Sequence, residues 1–282
     1  MAIRVLAFKR ANTKGKPNED ALLALRDRGR FAVADGVTRF LPEGHQYPDP
    51  SPASGVAAIF CGYAVRCMQG VRPETEIRKA FRDANVWIRR FNDENGITKE
   101  TTDYLEKDFA CCVGILGVLA GNRLHYGYIG DCGLMVFNQS LKPIHLTPNN
   151  LAPLERFKEG CGFSSKKERT LWWRRDMRNK PDTRHLTYGV LTGEPEALHY
   201  LETGSVRLLP GDTAILFSDG ILPFVFESSF REAAAKAVLL SESVGELALS
   251  EIDKYIGDAL SRLAGRAANL DDDKSFIAIQ LA

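Results

Sequence analysis

Apolar and polar positions change their pattern several times along the chain. Near the start, residues 3–9 and 30–35 read as strands, and Phe31-Ala32-Val33-Ala34 runs straight into the turn signal Asp35-Gly36. A proline-rich loop from Pro42 to Pro52 follows. Ser51-Pro52 has the form of a serine N-cap before a proline at the first helical position, where the fixed φ suits a helix and no N–H is wasted. A small-residue-rich apolar helix is expected from there to about Met68. A second helix starts near Pro73, because Ile77, Ala80, Phe81, Ala84, Ile88 and Phe91 recur at helical spacing and share one face. Asn95-Gly96 ends it.

The period then shortens. Phe109–Leu119, Arg123–Ile129 and Leu134–Phe137 are strand-like, and the short turns at Gly121-Asn122 and Gly130-Asp131 make them an antiparallel meander. Further strands are expected at 186–191 and 205–209, and Pro210-Gly211-Asp212 turns tightly into the buried strand Thr213–Phe217. Residues 228–240 and 243–265 read as two helices and Ser275–Leu281 as a closing strand. Strands, a helix pair, many strands, a second helix pair and a strand predict an α+β fold: a layered sandwich of two antiparallel β-sheets flanked by pairs of antiparallel helices, which cover the apolar sheet faces. The reading is of a single domain over 1–282, with an insertion-like segment at about 148–185.

Composition narrows this only a little. Hydrophobic residues at 44% and charged residues at 26% are those of a soluble globular protein, and a formal net charge of +1 selects no partner. No apolar run approaches the ~20 residues of a membrane span. The start, Met1-Ala2-Ile3-Arg4-Val5, lacks the layout of a secretory signal. Cys61, Cys67, Cys111, Cys112, Cys132 and Cys161 form no CxxC pair or zinc spacing, and adjacent Cys111 and Cys112 lie in an apolar run as buried thiols. Free thiols without an export signal point to the cytoplasm.

The candidate chemistry is carried by acidic turns. Ala34-Asp35-Gly36, Gly130-Asp131-Cys132-Gly133, Ser218-Asp219-Gly220 and Asp271-Asp272-Asp273 each put an aspartate at the edge of an apolar strand, and Asn18-Glu19-Asp20 lies upstream. A single Asp-Gly is ordinarily just a turn. Several carboxylates on neighbouring strand ends repel one another unless a cation stands between them. An all-oxygen set suits Mg²⁺ or Mn²⁺ rather than zinc.

In order and kind these pieces resemble the metal-dependent Ser/Thr protein phosphatases of the type 2C, or PPM, family, in a divergent bacterial-like branch. The matching residues are Asn18-Glu19-Asp20, Ala34-Asp35-Gly36-Val37, Gly130-Asp131, Leu191-Thr192-Gly193, Gly211-Asp212, Ser218-Asp219-Gly220 and Asp272-Asp273-Lys274-Ser275. The resemblance implies two divalent cations, Mn²⁺ or Mg²⁺. Asp35 would bridge them, the Gly36 carbonyl would ligate one, and Asp219 and Asp272 the other. Glu19 and Asp20 would hold bound waters, and Asp131 would serve a possible third metal. Asp35, Asp219 and Asp272 would thus be the catalytic set, and a metal-activated water would hydrolyse phosphoserine or phosphothreonine without a covalent intermediate. The implied partner is a phosphoprotein substrate whose modification a Ser/Thr kinase opposes.

The chain departs from the family pattern in several places. Gly15, between Lys14 and Lys16, stands where many members carry a phosphate-gripping arginine, so Lys14, Lys16 and Arg39 are the phosphate-binding candidates. Val37 stands where some members have a histidine, and His45 is a distant substitute. Pro223 replaces an aspartate expected of a third metal site, and Thr147-Pro148-Asn149-Asn150 replaces a Thr-x-Asp-His stretch. Residues 151–185 hold ten basic against five acidic residues around Leu171-Trp172-Trp173. That segment fits either a docking surface for acidic phosphoprotein or a solvated flap whose tryptophans pack on the domain; no motif supports nucleic-acid binding. The alternative to an active phosphatase is a catalytically weak or inactive homologue that binds phosphoprotein as a regulatory module. A two-metal phosphoesterase acting on small molecules or nucleic acid is the least supported reading.

Overall fold

The computed structural model describes residues 3–13, 15–38, 40, 46–66, 72–181, 186–241, 245–263 and 270–281. Its strands are β1 (Ile3–Arg10), β2 (Ala21–Leu25), β3 (Arg30–Gly36), β4 (Cys112–Ala120), β5 (Arg123–Ile129), β6 (Gly133–Phe137), β7 (Pro143–Leu146), β8 (Glu202–Arg207), β9 (Thr213–Phe217) and β10 (Lys274–Leu281). The helices are α1 (Pro52–Arg66), α2 (Pro73–Glu94), α3 (Ala152–Glu159), α4 (Lys166–Leu171), α5 (Leu222–Val225), α6 (Ser228–Leu240) and α7 (Gly245–Leu263). None among the described residues is long and apolar enough to cross a membrane.

Two five-stranded sheets form, in the orders β1-β10-β9-β6-β7 and β2-β3-β4-β5-β8, and every pairing within them is antiparallel. Strand side chains alternate between faces, and that period sorts the core into three layers. From β3 and β10, Phe31, Val33, Ile277 and Ile279 point between the sheets, where they meet Ile115, Val136 and Leu216. Ala32 and Ala34 face α1 and α2, packing with Phe60, Phe81 and Ile88. Phe276 and Ala278 face α6 and α7, packing with Phe230, Ile252 and Ile256. The result is the expected α+β sandwich, with helix, sheet, sheet and helix in succession.

The α2 stripe behaves as its spacing predicts: Ile77, Ala80, Phe81, Ala84 and Ile88 are buried, and Phe91 is half-buried against the same cluster. Ser51 caps α1, its Oγ accepting from Ser54 N at 3.1 Å. The thiols of Cys61, Cys111, Cys112 and Cys132 are free and buried, and Cys161 is free and half-buried.

Three stretches differ from expectation. Ala21–Leu25 pairs with β3 although its Ala-Leu composition carries no strand preference; its ladder from Ala21↔Ala34 to Leu25↔Arg30 is imposed by the neighbour. Pro143–Leu146 adds an edge strand to β6. Residues 186–191 make no strand, only single bridges of Tyr188 to Arg178 and Leu191 to Cys112. Side chains tie that stretch down instead: Asn179 Oδ1 accepts from Val190 N at 3.0 Å, and the Thr187 and Tyr200 hydroxyls bond at 2.6 Å.

Phe276 tests the outer layer. Its ring is fully buried, stacked on Phe8 at 5.2 Å and edge-on to Phe230 at 5.8 Å. Phe276→Ala is expected to cost about 3–5 kcal/mol in urea unfolding through the cavity it leaves. Leu247→Ala, on an exposed side chain, should stay within about 0.5 kcal/mol.

Candidate active site

The acidic turns come together at one end of the sandwich. Asp35 closes β3, where it pairs with Val113 of β4. Asp219 follows β9 after Ser218, whose N–H donates to the Ser275 carbonyl at 2.9 Å and so joins the exit of β9 to the entry of β10. Asp272 stands just before β10, and Asp131 lies in the turn between β5 and β6. Close backbone approach makes this possible at two glycines. A Cβ on Gly36 would lie 2.7 Å from the Glu19 carbonyl oxygen, and one on Gly220 would lie 1.9 Å from that of Asp273.

Within the acid run the three neighbours have different surroundings. Asp271 is exposed and accepts from Thr13 Oγ1 at 3.2 Å. Asp273 is buried, accepting from Asn12 N at 2.7 Å, Asn12 Nδ2 at 2.9 Å and Glu19 N at 2.8 Å. It therefore fixes the Asn12–Glu19 segment. Asp272 alone of the three lines the central cavity, and its carbonyl is held by the buried Lys274 Nζ at 2.6 Å.

Glu19 and Asp20 are clamped by hydroxyls. Glu19 Oε2 accepts from Thr38 Oγ1 at 2.7 Å, and Oε1 accepts from Tyr47 OH at 2.8 Å and Ser51 Oγ at 2.6 Å. Asp20 Oδ2 accepts from Ser218 Oγ at 2.8 Å. Asp20 Oδ1 is buried with no hydrogen-bond partner among the described residues; the Ser275 hydroxyl is nearby but outside bonding geometry.

Burial and mutual repulsion push the carboxyls of Asp35, Asp219, Asp131 and Asp20 upward. Desolvation, then the charges of Asp219, Asp20 and Asp131, hold the pKa of Asp35 well above the carboxylate range. Asp219 is likewise held well above the carboxylate range, by burial and then by the charges of Asp131 and Asp272. Asp131 rises to about 7 through burial, Glu155 and Asp272. Asp20 also rises to about 7, chiefly through burial.

No group of three or more His, Cys, Asp or Glu among the described residues is already arranged around one point to hold a metal ion. The donor chemistry nevertheless fits hard divalent cations. The cluster is all oxygen, its charges raise one another, and the buried Asp20 Oδ1 has no hydrogen-bond donor of its own.

The cavity these residues floor has a volume of about 470 Å³. Asp35, Asp131 and Asp272 line it together with Lys158, Trp173, Arg174 and Arg178. Of the phosphate-binding candidates, Lys14 and Arg39 lie outside the described residues, as does His45. Lys16 stands over the Tyr47 ring, 5.5 Å from its centroid. The cavity cations come instead from the basic segment, where sequence spacing singled out none of them. Arg178 grips Asp108 with two bonds, at 2.6 and 3.0 Å, and Arg174 reaches the same carboxylate at 3.1 Å. Burial works to raise the pKa of Asp108, but the guanidiniums outweigh it and hold it below its ordinary value.

No protein-family model and no curated protein sequence matches the chain. Solved structures do. The Mycobacterium tuberculosis serine/threonine phosphatase PstP/Ppp is 17% identical, with 100% of this chain and 99% of that chain covered and a TM-score of 0.62. Stp1 from Staphylococcus aureus, a serine/threonine phosphatase, is 14% identical over 100% and 96%, with a TM-score of 0.63. The catalytic domain of PstP in complex with two manganese ions is 18% identical over 99% and 97%, with a TM-score of 0.58. The fold is that of the PPM-type Ser/Thr phosphatases. Within this phosphatase fold, the acidic turns and the basic segment line one cavity.

The raised pKa values have a signed consequence. Without cations, folded Asp20 and Asp131 keep protons up to about pH 7 that the unfolded chain releases near 3.8. The folded state binds more protons across that window, so their contribution to stability falls as pH rises through it. His125 and His145, depressed by burial, act in the opposite sense, so the cation-induced change in Tm is the cleaner readout. Mn²⁺ is expected to raise Tm more at about pH 7.5 than at about pH 5, because it replaces protons already lost at the higher pH. Equal shifts at both pH values would contradict the assignment.

Proposed function

We propose that the protein is a metal-dependent phosphatase that hydrolyses phosphoserine and phosphothreonine in protein substrates. The observation that carries this reading is the convergence of Asp35, Asp131, Asp219 and Asp272, from four separate turns, into one mutually repelling group beside a cavity. Asp35, the Gly36 carbonyl, Asp219 and Asp272 would hold two cations, Mn²⁺ or Mg²⁺, with Asp131 available to a third. The manganese-bound domain of PstP, on the same fold, supports the choice. When bound, such cations acidify water for attack on phosphorus and offset charge on the phosphoryl group.

The chain's own residues have narrower tasks. Thr38, Tyr47 and Ser51 fix the Glu19 carboxylate, and Ser218 fixes that of Asp20; held in this way, both would order metal-bound water. The basic wall would favour an anionic substrate over a neutral one. A cysteine nucleophile is disfavoured: Cys111 lines the cavity, but burial pushes its thiol up to about 11, far from the thiolate such chemistry needs. A phosphoprotein substrate, a kinase acting in opposition and a cytoplasmic location complete the proposal. A regulatory homologue with little turnover is the competing reading, kept alive by the unusual phosphate grip.

Mn²⁺-dependent turnover of p-nitrophenyl phosphate and phosphothreonine peptides tests it. Asp35→Asn and Asp219→Asn should each lower kcat by at least about a hundredfold, the scale at which loss of charge stabilisation acts. Wild-type activity no higher than that of these variants would leave only the regulatory reading. Turnover of nucleotides in preference to peptides would point to a small-molecule phosphoesterase.

A further inference from the structure

The cavity wall holds a charge imbalance that the proposed acid and metal chemistry does not use. Arg174 lies in the wide helical turn Trp172–Met177 and is only 8% exposed. Its Nη2 donates to the Thr38 carbonyl at 2.9 Å and its Nη1 to the Tyr104 carbonyl at 3.4 Å. Its ion pair is with Asp108, whose carboxylate Arg178 already grips with both oxygens. Among the described residues, two buried guanidiniums therefore share the Asp108 carboxylate, an excess of positive charge over the groups paired with them. Such a charge is costly unless an anion answers it. Glu155 also lines the cavity but is half-buried and makes no ion pair with either arginine.

We infer that Arg174 is a direct contact for the phosphoryl group of the substrate, so that the phosphate is gripped from the basic segment rather than from the N-terminal loop. This rests on the phosphatase reading. Arg174 lines the cavity together with Asp35 and Asp272, so an anion drawn to the acid-bound cations lies beside it. Its partners engage only part of its five N–H donors. The carbonyl that anchors it belongs to Thr38, whose hydroxyl holds Glu19 at 2.7 Å, so the guanidinium is positioned relative to the acidic floor. A planar guanidinium matches two oxygens of a phosphate, whereas Lys16 offers a point charge and is seated on Tyr47. Arg178, spent on Asp108, is a positioning residue for Arg174.

Calorimetric titration of inorganic phosphate into the full-length, Mg²⁺-loaded protein tests the contact without turnover. Arg174→Gln is expected to weaken phosphate binding about ten-fold or more, as loss of a charge-assisted hydrogen bond does. Arg174→Lys should fall between Gln and wild type, and Lys16→Gln should stay within about two-fold of wild type, since a screened surface charge contributes little. Mg²⁺ affinity and Tm, measured alongside, report folding. If Arg174→Gln does not fold, the comparison rests on Arg174→Lys, which keeps the charge and loses the fork. The inference is overturned if the folded Arg174 variants bind phosphate like wild type, if Lys16→Gln loses more than they do, or if the wild type shows no phosphate affinity. A wild type that binds phosphate through Arg174 yet hydrolyses no phosphopeptide would overturn the proposed activity and uphold the grip.

Discussion

Repulsion among carboxylates is the constraint on which this site depends. Asp35, Asp131, Asp219 and Asp272 are brought together by the two sheets, and burial takes away much of the water that would screen Asp35 and Asp219. Each can stay in place only if neighbours lose charge, by protons or by cations. Protonation, which burial favours at Asp35 and Asp219, is the first solution, and divalent ions are the second. The sandwich core supplies the rigidity: strands β3, β9 and β10 are buried between two layers, so their ends cannot move apart to relieve the strain of like charges.

Much of this was legible in the chain because it is local. The apolar stripe of α2, the buried run Thr213–Phe217 and the Asp-Gly signals at Asp35 and Asp219 each declare themselves within a few residues. What was not legible depends on neighbours far away in sequence. Ala21–Leu25 becomes a strand only because β3 offers it a ladder. The three members of Asp271-Asp272-Asp273 look alike in sequence. They separate only when Asn12 and Glu19 are seen to occupy Asp273 while Asp272 faces the cavity. Ser51 could be read as a helix cap, which it is, but its second bond to Glu19 spans a distance no local pattern encodes.

The basic segment shows the same limit at the level of function. Its ten basic residues looked equivalent on the page, suited either to solvent or to a partner. In the fold they divide. Arg175 pairs with its neighbour Asp176 at the surface, whereas Arg174 and Arg178 are buried against Asp108 in the cavity wall. The tryptophans do pack inward, with the Trp173 ring 4.8 Å from that of Tyr188 and Lys158 Nζ lying over the Trp173 ring at 4.3 Å from its centroid. The cavity thus has an acidic floor that asks for cations and a basic wall that asks for an anion, the pair of demands a phosphate ester bound with metal satisfies together.

The central claim is that the acidic turns form a cation site of fixed capacity. Counting bound Mn²⁺ by electron paramagnetic resonance of the free ion, in titrations of wild type and of Asp35→Asn, tests it most directly. The account predicts at least two tightly bound ions per chain in the wild type and loss of tight binding in the variant, since Asp35 would serve both. Wild-type protein that leaves added Mn²⁺ free, or a variant that retains the full complement, would contradict it.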